Sequence, residues 1–190
     1  IITNKNDNID IKAVFSMIER TMYLEKVRPF YNKNIIKIIT GIRRSGKSTL
    51  LLQIIDDLIL KGINQSQIIY INLDDFENEK LKNKNILYDY IKEKIVTNNK
   101  NYLFIDEIQE VEGFEKVVNS FNINDNVDIY LTGSNSKMLA SEFATYLTGR
   151  YISFEVFPFS FKEIYLNSPE VDKEKLFLDY VEFGGFPQSL

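Results

Sequence analysis

The stretch that most constrains the fold is a nine-residue segment, residues 41–49, which reads G-I-R-R-S-G-K-S-T. An apolar run ends just before it, and apolar residues at helical spacing follow it as far as residue 60. This order predicts a buried strand, a tight loop and a helix. In that context, the spacing G-x-x-x-x-G-K-[ST] is typical of a phosphate-binding loop.

The residue types in this loop suit a nucleoside triphosphate. Such a polyanion needs several backbone N–H groups turned toward one point, and glycine allows a close approach of the backbone. The lysine reaches the β- and γ-phosphates, the following serine hydroxyl ligates Mg²⁺, and the helix contributes its positive end. The predicted phosphate-binding residues are Gly41, Arg43, Arg44, Ser45, Gly46, Lys47, Ser48 and Thr49.

A second informative stretch is a short apolar run that ends in two acids. Residues 102–105 read Tyr-Leu-Phe-Ile and are followed by Asp106 and Glu107. A buried parallel strand brings its last residue to the same sheet edge as the phosphate-binding loop. We therefore predict that Asp106 holds the Mg²⁺ shell and that Glu107 orients and deprotonates an attacking water. The alternative is a strand that merely ends in surface acids.

Polar residues later in the chain are candidates for contact with the terminal phosphate. A strand over residues 128–133 is followed by Ser134 and Asn135. A neutral side chain there, Asn135 before Ser134, could contact the γ-phosphate or the attacking water, and a plain turn is the alternative. Arg150 is the one arginine after the loop helix, so it alone in that part of the chain could stabilise transition-state charge. A surface salt bridge is the competing interpretation.

Composition narrows the chemistry further. The chain has 190 residues, a net charge of −4, and neither cysteine nor histidine. Zinc fingers, thiol nucleophiles and imidazole bases are therefore excluded, so carboxylates must do the acid–base work and oxygen ligands must bind any metal. The acidic balance does not support non-specific nucleic-acid binding. Since no apolar run approaches the ~18 residues of a membrane span and no signal peptide is evident, we expect a cytoplasmic protein without a membrane partner.

We divide the chain into three parts, and the first boundary is the point near residue 17 where the family resemblance described below begins. We expect residues 1–16 to be an irregular N-terminal extension, residues 17–157 to be the core, and residues 158–190 to begin a helical lid or C-terminal region. Two short helices are predicted in the last part, the first from the capping box S-F-K-E at 160–163 and the second ended by Gly-Gly at 184–185. Because the chain stops soon afterwards, we expect a fragment of a longer protein.

The lead-in to the first strand, residues 11–30, has apolar residues at helical spacing and is broken by Arg28-Pro29. Val27, Pro29 and Tyr31 are candidates for contact with a nucleotide base, with ordinary packing as the alternative. Further helices are predicted from the apolar positions within residues 87–95 and 114–121.

Five motifs together resemble one family. They are G-I-R-R-S-G-K-S at 41–48, D-E-I-Q at 106–109, L-T-G-S-N-S at 131–136, G-R-Y at 149–151 and G-G-F-P at 184–187. In order and spacing the chain, from about residue 17 onward, is similar to the prokaryotic AAA-type ATPases whose core precedes a C-terminal domain of unknown function.

The resemblance implies an α/β P-loop three-layer sandwich, with a parallel five-stranded sheet in order 5-1-4-3-2 and a short helical lid fragment after it. It implies ATP and Mg²⁺ as cofactors, Asp106 and Glu107 as metal-shell and catalytic acids, and Asn135 as the sensor residue after the fourth strand. Arg150 matches the place of an arginine finger that acts on a neighbouring subunit, which implies a homo-oligomer. No arginine follows Arg150, so the second sensor usual in AAA lids has no counterpart in this chain.

Three functional hypotheses follow. The first is an ATPase core that couples Mg²⁺-dependent hydrolysis to a conformational change in an attached effector domain. The second is a nucleotide-gated interaction or signalling module with slow turnover. The third is a P-loop kinase, which is less favoured because kinase lids usually carry arginines and this chain has none after position 150.

Overall fold

The computed structural model describes residues 18–123, 126–133, 150–168 and 172–186. The strands in these residues are β1 (Ile36–Thr40), β2 (Ile68–Asn72), β3 (Asn101–Asp106), β4 (Val127–Gly133) and β5 (Tyr151–Glu155). The α-helices are α1 (Thr21–Val27), α2 (Lys47–Leu60), α3 (Lys84–Lys94), α4 (Phe114–Asn122), α5 (Phe161–Asn167) and α6 (Lys173–Phe183). Short 3₁₀ turns occur at Arg28–Phe30, Gln65–Gln67, Phe76–Lys82 and Ile108–Glu110.

The five strands form one parallel sheet in the order β2-β3-β4-β1-β5. Read from the other end this is 5-1-4-3-2, so the predicted strand order is confirmed. The register pairs Thr40 of β1 with Gly133 of β4 and with Glu155 of β5, and it pairs Asn72 of β2 with Asp106 of β3. The carboxyl ends of all five strands therefore lie along one edge of the sheet, where ligands of open α/β sheets bind.

Alternating residues of the strands divide the core between two faces. Ile36 and Ile38 of β1 pack on the side of α3 and α4, whereas Ile39 packs on the side of α1 and α2. β1, β3 and β4 are buried along their whole length, as expected for central strands covered on both faces. The architecture is therefore the predicted sandwich of two helical layers around a sheet.

Within the described residues of this lead-in, 18–30, α1 covers residues 21–27. α1 begins at Thr21, since Arg20 before it has non-helical backbone angles (φ −92°, ψ 51°). The Arg20 N–H donates instead to Gln53 Oε1 of α2 at 2.9 Å. A tertiary hydrogen bond, which a local pattern cannot reveal, thus sets where this helix starts.

The predicted break at the end of α1 is confirmed, since Arg28 and Pro29 lie in a 3₁₀ turn. Arg28 Nε and Nη2 both donate at 3.1 Å to the Asp57 carboxylate, in the second half of α2. Val27 and Tyr31 are buried in the core beside this helix. Their side chains pack as part of the core, which is the alternative that the sequence left open.

Two predictions for the region after β5 are confirmed: the capping box at residues 160–163, and the end of the second helix at the glycines 184–185. Glu163 N donates to Ser160 Oγ at 3.3 Å, and Ser160 N donates to Glu163 Oε2 at 2.9 Å. α6 ends before Gly184, and Phe159 N donates to Gly185 O at 2.7 Å. A Cβ on Gly185 would lie 1.9 Å from Phe159 O, so this contact requires glycine and returns the end of α6 to the start of α5.

None of the described helices combines the length and the apolar character that a membrane crossing requires.

Candidate functional site

The predicted phosphate-binding loop connects β1 to α2. α2 begins at Lys47, and Gly46 before it has a left-handed backbone (φ 93°). The first hydrogen bond within the helix joins Leu50 N to Gly46 O at 2.9 Å. The amides of Lys47, Ser48 and Thr49 precede that bond, where the N–H groups of a helix are available to an anion.

The first glycine of the loop is required by its surroundings. Gly41 has φ 150°, and a Cβ built on it would lie 2.2 Å from the backbone oxygen of Val156 and 2.9 Å from Ser45 Oγ. A neighbouring bond, from Val156 N to Thr40 O at 2.7 Å, holds the chain after β5 against the end of β1. The loop is thus closely supported from the β5 side, and a side chain at position 41 would displace backbone atoms.

Lys47 lies between the loop and the acidic end of β3. Its Nζ atom donates to Ile42 O at 3.3 Å and lies 3.6 Å from Glu107 Oε1. The lysine side chain is only 4% exposed, whereas Ser48 next to it is exposed. The ammonium therefore stands where the two sequence motifs converge, held in place by neutral and anionic oxygen atoms.

Asp106 is the most deeply buried acid of this edge, at 1% exposure. Burial raises the pKa of its carboxyl, and hydrogen bonds from Ser48 and Thr132 oppose that rise. Burial, and next the charge of Asp106, raise the pKa of the Tyr70 hydroxyl, which hydrogen-bonds the same carboxyl. A nearby cation stabilises the charged form of a carboxylate that is buried in this way.

The donor set at this point fits a magnesium ion. Asp106 and the Ser48 hydroxyl are adjacent oxygen donors that hydrogen-bond to each other, and Mg²⁺ is usually held by one or two carboxylates together with phosphate oxygens and waters. Within the described parts of the chain, no cluster of three or more His, Cys, Asp or Glu side chains could hold a metal ion. A metal at this edge would thus take its remaining ligands from a phosphate group and from water.

Glu107 occupies a strained position directly after β3. Its backbone is left-handed (φ 56°, ψ 48°) although it is not glycine, which costs of order 1–3 kcal/mol. Its N–H donates to Thr132 Oγ1 at 2.9 Å, and its Oε2 accepts a hydrogen bond from Gln109 Nε2. The side chain is 19% exposed, so its carboxylate is oriented by the protein and still reached by water.

Thr132 is a site residue for which the sequence analysis gave no role. Its hydroxyl donates to Asp106 Oδ1 and accepts from Glu107 N, so one buried side chain positions both acids. The signal in the sequence was one threonine at the end of the segment Ile-Tyr-Leu-Thr, residues 129–132. Its meaning depends on β4 lying next to β3, which the local sequence does not state.

The other predicted site residues divide into three groups. Arg43 and Arg44 of the loop are exposed, and Arg44 has a left-handed backbone (φ 68°). Ser45 is fully buried. Asn135 and the alternative Ser134 lie outside the described residues, so their predicted contact with the terminal phosphate stays a prediction.

Arg150 lies at the opposite edge of the sheet from the loop. Its backbone oxygen accepts from Ile36 N at 2.9 Å, at the amino end of β1. Its exposed side chain donates to Asn119 Oδ1 of α4 at 3.4 Å. Five residues of β5, about 16 Å of strand, separate it from the carboxyl edge. Arg150 is therefore too distant to act on the phosphate loop of its own chain.

The family follows from a comparison with known sequences. A family model described as an AAA domain matches residues 33–165, well over half of the 190 residues. The chain belongs to this AAA domain family. The match includes the phosphate loop, both acids after β3 and Arg150, and the AAA-type P-loop ATPase core that the motifs predicted is thereby confirmed.

Two uncharacterized relatives match most of this chain. An uncharacterized protein of Haemophilus influenzae is 42% identical over 178 residues (90% of this chain, 44% of that protein), and one of Methanocaldococcus jannaschii is 34% identical over 198 residues (96% and 41%). The AAA domain chain thus spans less than half the length of these relatives.

Among structures, AMPPCP-bound DnaA from Aquifex aeolicus superposes with a TM-score of 0.59 at 17% identity (93% of this chain, 61% of that one). Saccharomyces cerevisiae RIF2 superposes with 0.55 at 12% identity (90% and 72%). At this level of identity the likeness shows the fold alone.

Proposed function

We propose that this AAA domain binds ATP with Mg²⁺ at the loop of residues 41–49 and hydrolyses it. The observation that carries the proposal is the convergence of Lys47, Ser48, Asp106 and Glu107 at the carboxyl edge of β1 and β3. The loop amides and the Lys47 ammonium would hold the phosphates. Ser48 and Asp106 would hold Mg²⁺, which when bound neutralises the phosphate charge.

Glu107 is the residue best placed to act as a general base. Its carboxylate is fixed by Gln109, its backbone by Thr132, and its side chain remains open to water. A carboxylate so held can orient a water and accept its proton. The adjacent Lys47 would engage the phosphates once they are bound and so leave the Glu107 carboxylate to that water.

The test compares two isosteric changes. Glu107→Gln should keep the affinity for ATP·Mg²⁺ within about threefold and lower phosphate release by about 10²-fold or more, the usual contribution of a general base. Glu110→Gln, three residues on and exposed, is the matched control and should hydrolyse ATP at the wild-type rate. Phosphate should appear without any added acceptor.

Three results would contradict this proposal. Hydrolysis by Glu107→Gln at the wild-type rate would remove the assigned base. Loss of the γ-phosphate from ATP only after an acceptor is added would favour a kinase. Binding without measurable turnover in the longer protein would favour the nucleotide-gated module.

Arg150 is proposed to complete the site of a neighbouring subunit, because it is exposed and cannot reach its own loop. Turnover per subunit should then rise with protein concentration. A mixture of Arg150→Ala with Lys47→Ala should recover part of the activity, since one subunit keeps the loop and the other keeps the arginine. A rate per subunit that is independent of concentration, and no recovery on mixing, would contradict action between subunits.

The division of the chain belongs to the same proposal. Residues 17–157 would be the nucleotide-binding core, residues 1–16 an extension, and residues 158–190 the start of a lid that follows it. In the longer protein, nucleotide turnover would change the conformation of an attached effector domain.

A further inference from the structure

Arg20 is a fully buried arginine that lies outside every motif of the site. Its guanidinium reaches three separate parts of the chain. Nη1 donates to Ser45 O of the phosphate loop at 3.0 Å, Nη2 donates to Phe157 O after β5 at 2.7 Å, and Nε lies 2.9 Å from Glu163 Oε1 of α5. One side chain thus joins the loop, the segment after the sheet and the first helix of the C-terminal region.

The contact with Ser45 bears directly on the phosphate site. The C=O of Ser45 and the N–H of Gly46 belong to one planar trans peptide, so they point in opposite directions. By holding that oxygen, Arg20 fixes the direction of the Gly46 N–H, which is one of the loop amides predicted to face a phosphate. The fit is close, because a Cβ on Gly46 would lie 3.2 Å from Arg20 Nη1.

The contact with Glu163 bears on the placement of α5. Glu163 uses Oε1 toward Arg20, and it uses Oε2 to accept from Ser160 N at 2.9 Å and from Ser160 Oγ at 2.8 Å, which caps the helix. The same carboxylate therefore begins α5 and attaches it to the guanidinium. A change in the direction of the Arg20 side chain would therefore shift the first turn of α5.

The geometry requires an arginine at this position. The guanidinium carbon lies 4.7 Å from the Tyr23 ring centre and 4.6 Å from that of Phe159. A planar guanidinium packed against aromatic rings can donate to two separate carbonyl oxygens while its charge faces a carboxylate, whereas a lysine ammonium cannot reproduce that arrangement. Tyr23 also accepts from Phe157 N at 3.0 Å, so the segment after β5 is held at two points.

We propose that Arg20 is a positioning residue that couples occupancy of the phosphate loop to the placement of α5. The inference rests on the proposed function insofar as the ligand is ATP·Mg²⁺. A ligand that orders the loop favours one direction of the Ser45 carbonyl, and Arg20 transmits that preference to Phe157 and Glu163. If nucleotide binding favours one placement of α5, a change that disfavours this placement must weaken the binding of the nucleotide.

The experiment perturbs the α5 end and measures the loop. Glu163→Gln removes the charge opposite Arg20 without touching the loop, and Glu174→Gln, at an exposed position of α6, is the matched control. Arg20→Lys keeps the positive charge and tests whether the planar guanidinium is required. Hydrogen–deuterium exchange is followed in residues 41–49 and 157–167, with and without ATP·Mg²⁺, and the ATP dissociation constant is measured by calorimetry.

Coupling predicts two results. Without nucleotide, Glu163→Gln should raise exchange in residues 41–49, and Glu174→Gln should leave it unchanged. With ATP·Mg²⁺, the wild type should become protected in both segments, whereas Glu163→Gln and Arg20→Lys should be protected at the loop alone and bind ATP about five- to tenfold more weakly.

The outcomes separate the two proposals. Wild-type exchange in residues 41–49 and wild-type affinity in Glu163→Gln would overturn the role of Arg20, whatever Arg20→Lys does. Should the wild type fail to bind ATP·Mg²⁺ while Glu163→Gln still raises loop exchange, the proposed function fails and the coupling stands for another ligand of the loop.

Discussion

The two edges of the sheet each carry a buried lysine and a buried aspartate, but they differ in what those charges contact. At the amino edge, Lys37 and Asp128 are both fully buried and paired. At the carboxyl edge, Lys47 and Asp106 are almost as buried, yet they lie beside a serine and a glutamate that water can reach. Burial of charge is common to both edges, so burial alone does not mark a functional site.

The amino-edge pair is closed to further partners. Lys37 Nζ donates to Asp128 Oδ1 and to Lys33 O at 3.0 Å, and it lies 5.0 Å from the Tyr130 ring centre. Asp128 Oδ2 accepts from Asn32 N and from Tyr130 Oη, both at 2.9 Å. Each charge is satisfied within the fold, so this cluster has a structural role.

The carboxyl-edge group is open by comparison. The carboxylate nearest to Lys47 Nζ lies 3.6 Å away, beyond hydrogen-bond distance, and Ser48 is exposed. The lysine and the loop amides therefore keep donors for a ligand. The comparison shows that a site is recognised by hydrogen-bonding capacity that the fold leaves free, in addition to charges that it buries.

The largest expected effect is a loss of stability when the buried Lys37–Asp128 pair at the amino edge is broken. Lys37→Met should lower the free energy of unfolding by about 3–5 kcal/mol, because it leaves the Asp128 carboxylate buried without its cation. Urea denaturation measures the loss. Under conditions where the variant remains folded, its affinity for ATP·Mg²⁺ should match that of the wild type.

A second replacement sharpens this prediction. Combining Lys37→Met with Asp128→Asn removes both charges and keeps an oxygen that accepts from Asn32 and Tyr130, so it should recover part of the lost stability. If Lys37→Met unfolds at the wild-type urea concentration, or if it alone abolishes ATP binding, the distinction between a structural and a functional edge is wrong.

A smaller effect distinguishes the edges by removal of one hydroxyl from each. Thr132→Val takes away a donor to Asp106 and the acceptor of the Glu107 N–H, and should lower the turnover of ATP about tenfold, equivalent to about 1.4 kcal/mol, with KM changed less. Tyr130→Phe takes one donor from Asp128 and should cost about 1 kcal/mol of stability while turnover stays the same.

Equal losses of turnover in Thr132→Val and Tyr130→Phe would show that the Thr132 hydroxyl affects turnover only through the overall stability of the fold. Refolding yields and unfolding midpoints of the two variants control for a loss of turnover that is due to destabilisation.

The local sequence was enough for the strand, loop and helix over residues 36–60, for the strands that end at Asp106 and Gly133, and for the two short helices after β5. The spacing of residues 41–49, the acids after an apolar run at 102–105, and the capping box at 160–163 each depend on backbone geometry within a few residues. Such short-range features are therefore predictable from their own residues. The strand order came from the family resemblance, since parallel neighbours such as β1 and β4 are distant in the chain.

Only the tertiary structure decided what the polar residues outside these motifs do. Lys37 and Thr132 each follow an apolar residue within a strand, and Arg20 lies between Glu19 and Thr21, so the sequence marks none of the three as a functional residue. Lys37 contacts Asp128, 91 residues away, and Arg20 contacts Phe157, 137 residues away. Thr132 contacts Asp106 on the neighbouring strand, 26 residues away. A buried polar group takes its role from its partner, and partners so distant in sequence are brought together only by the folded sheet.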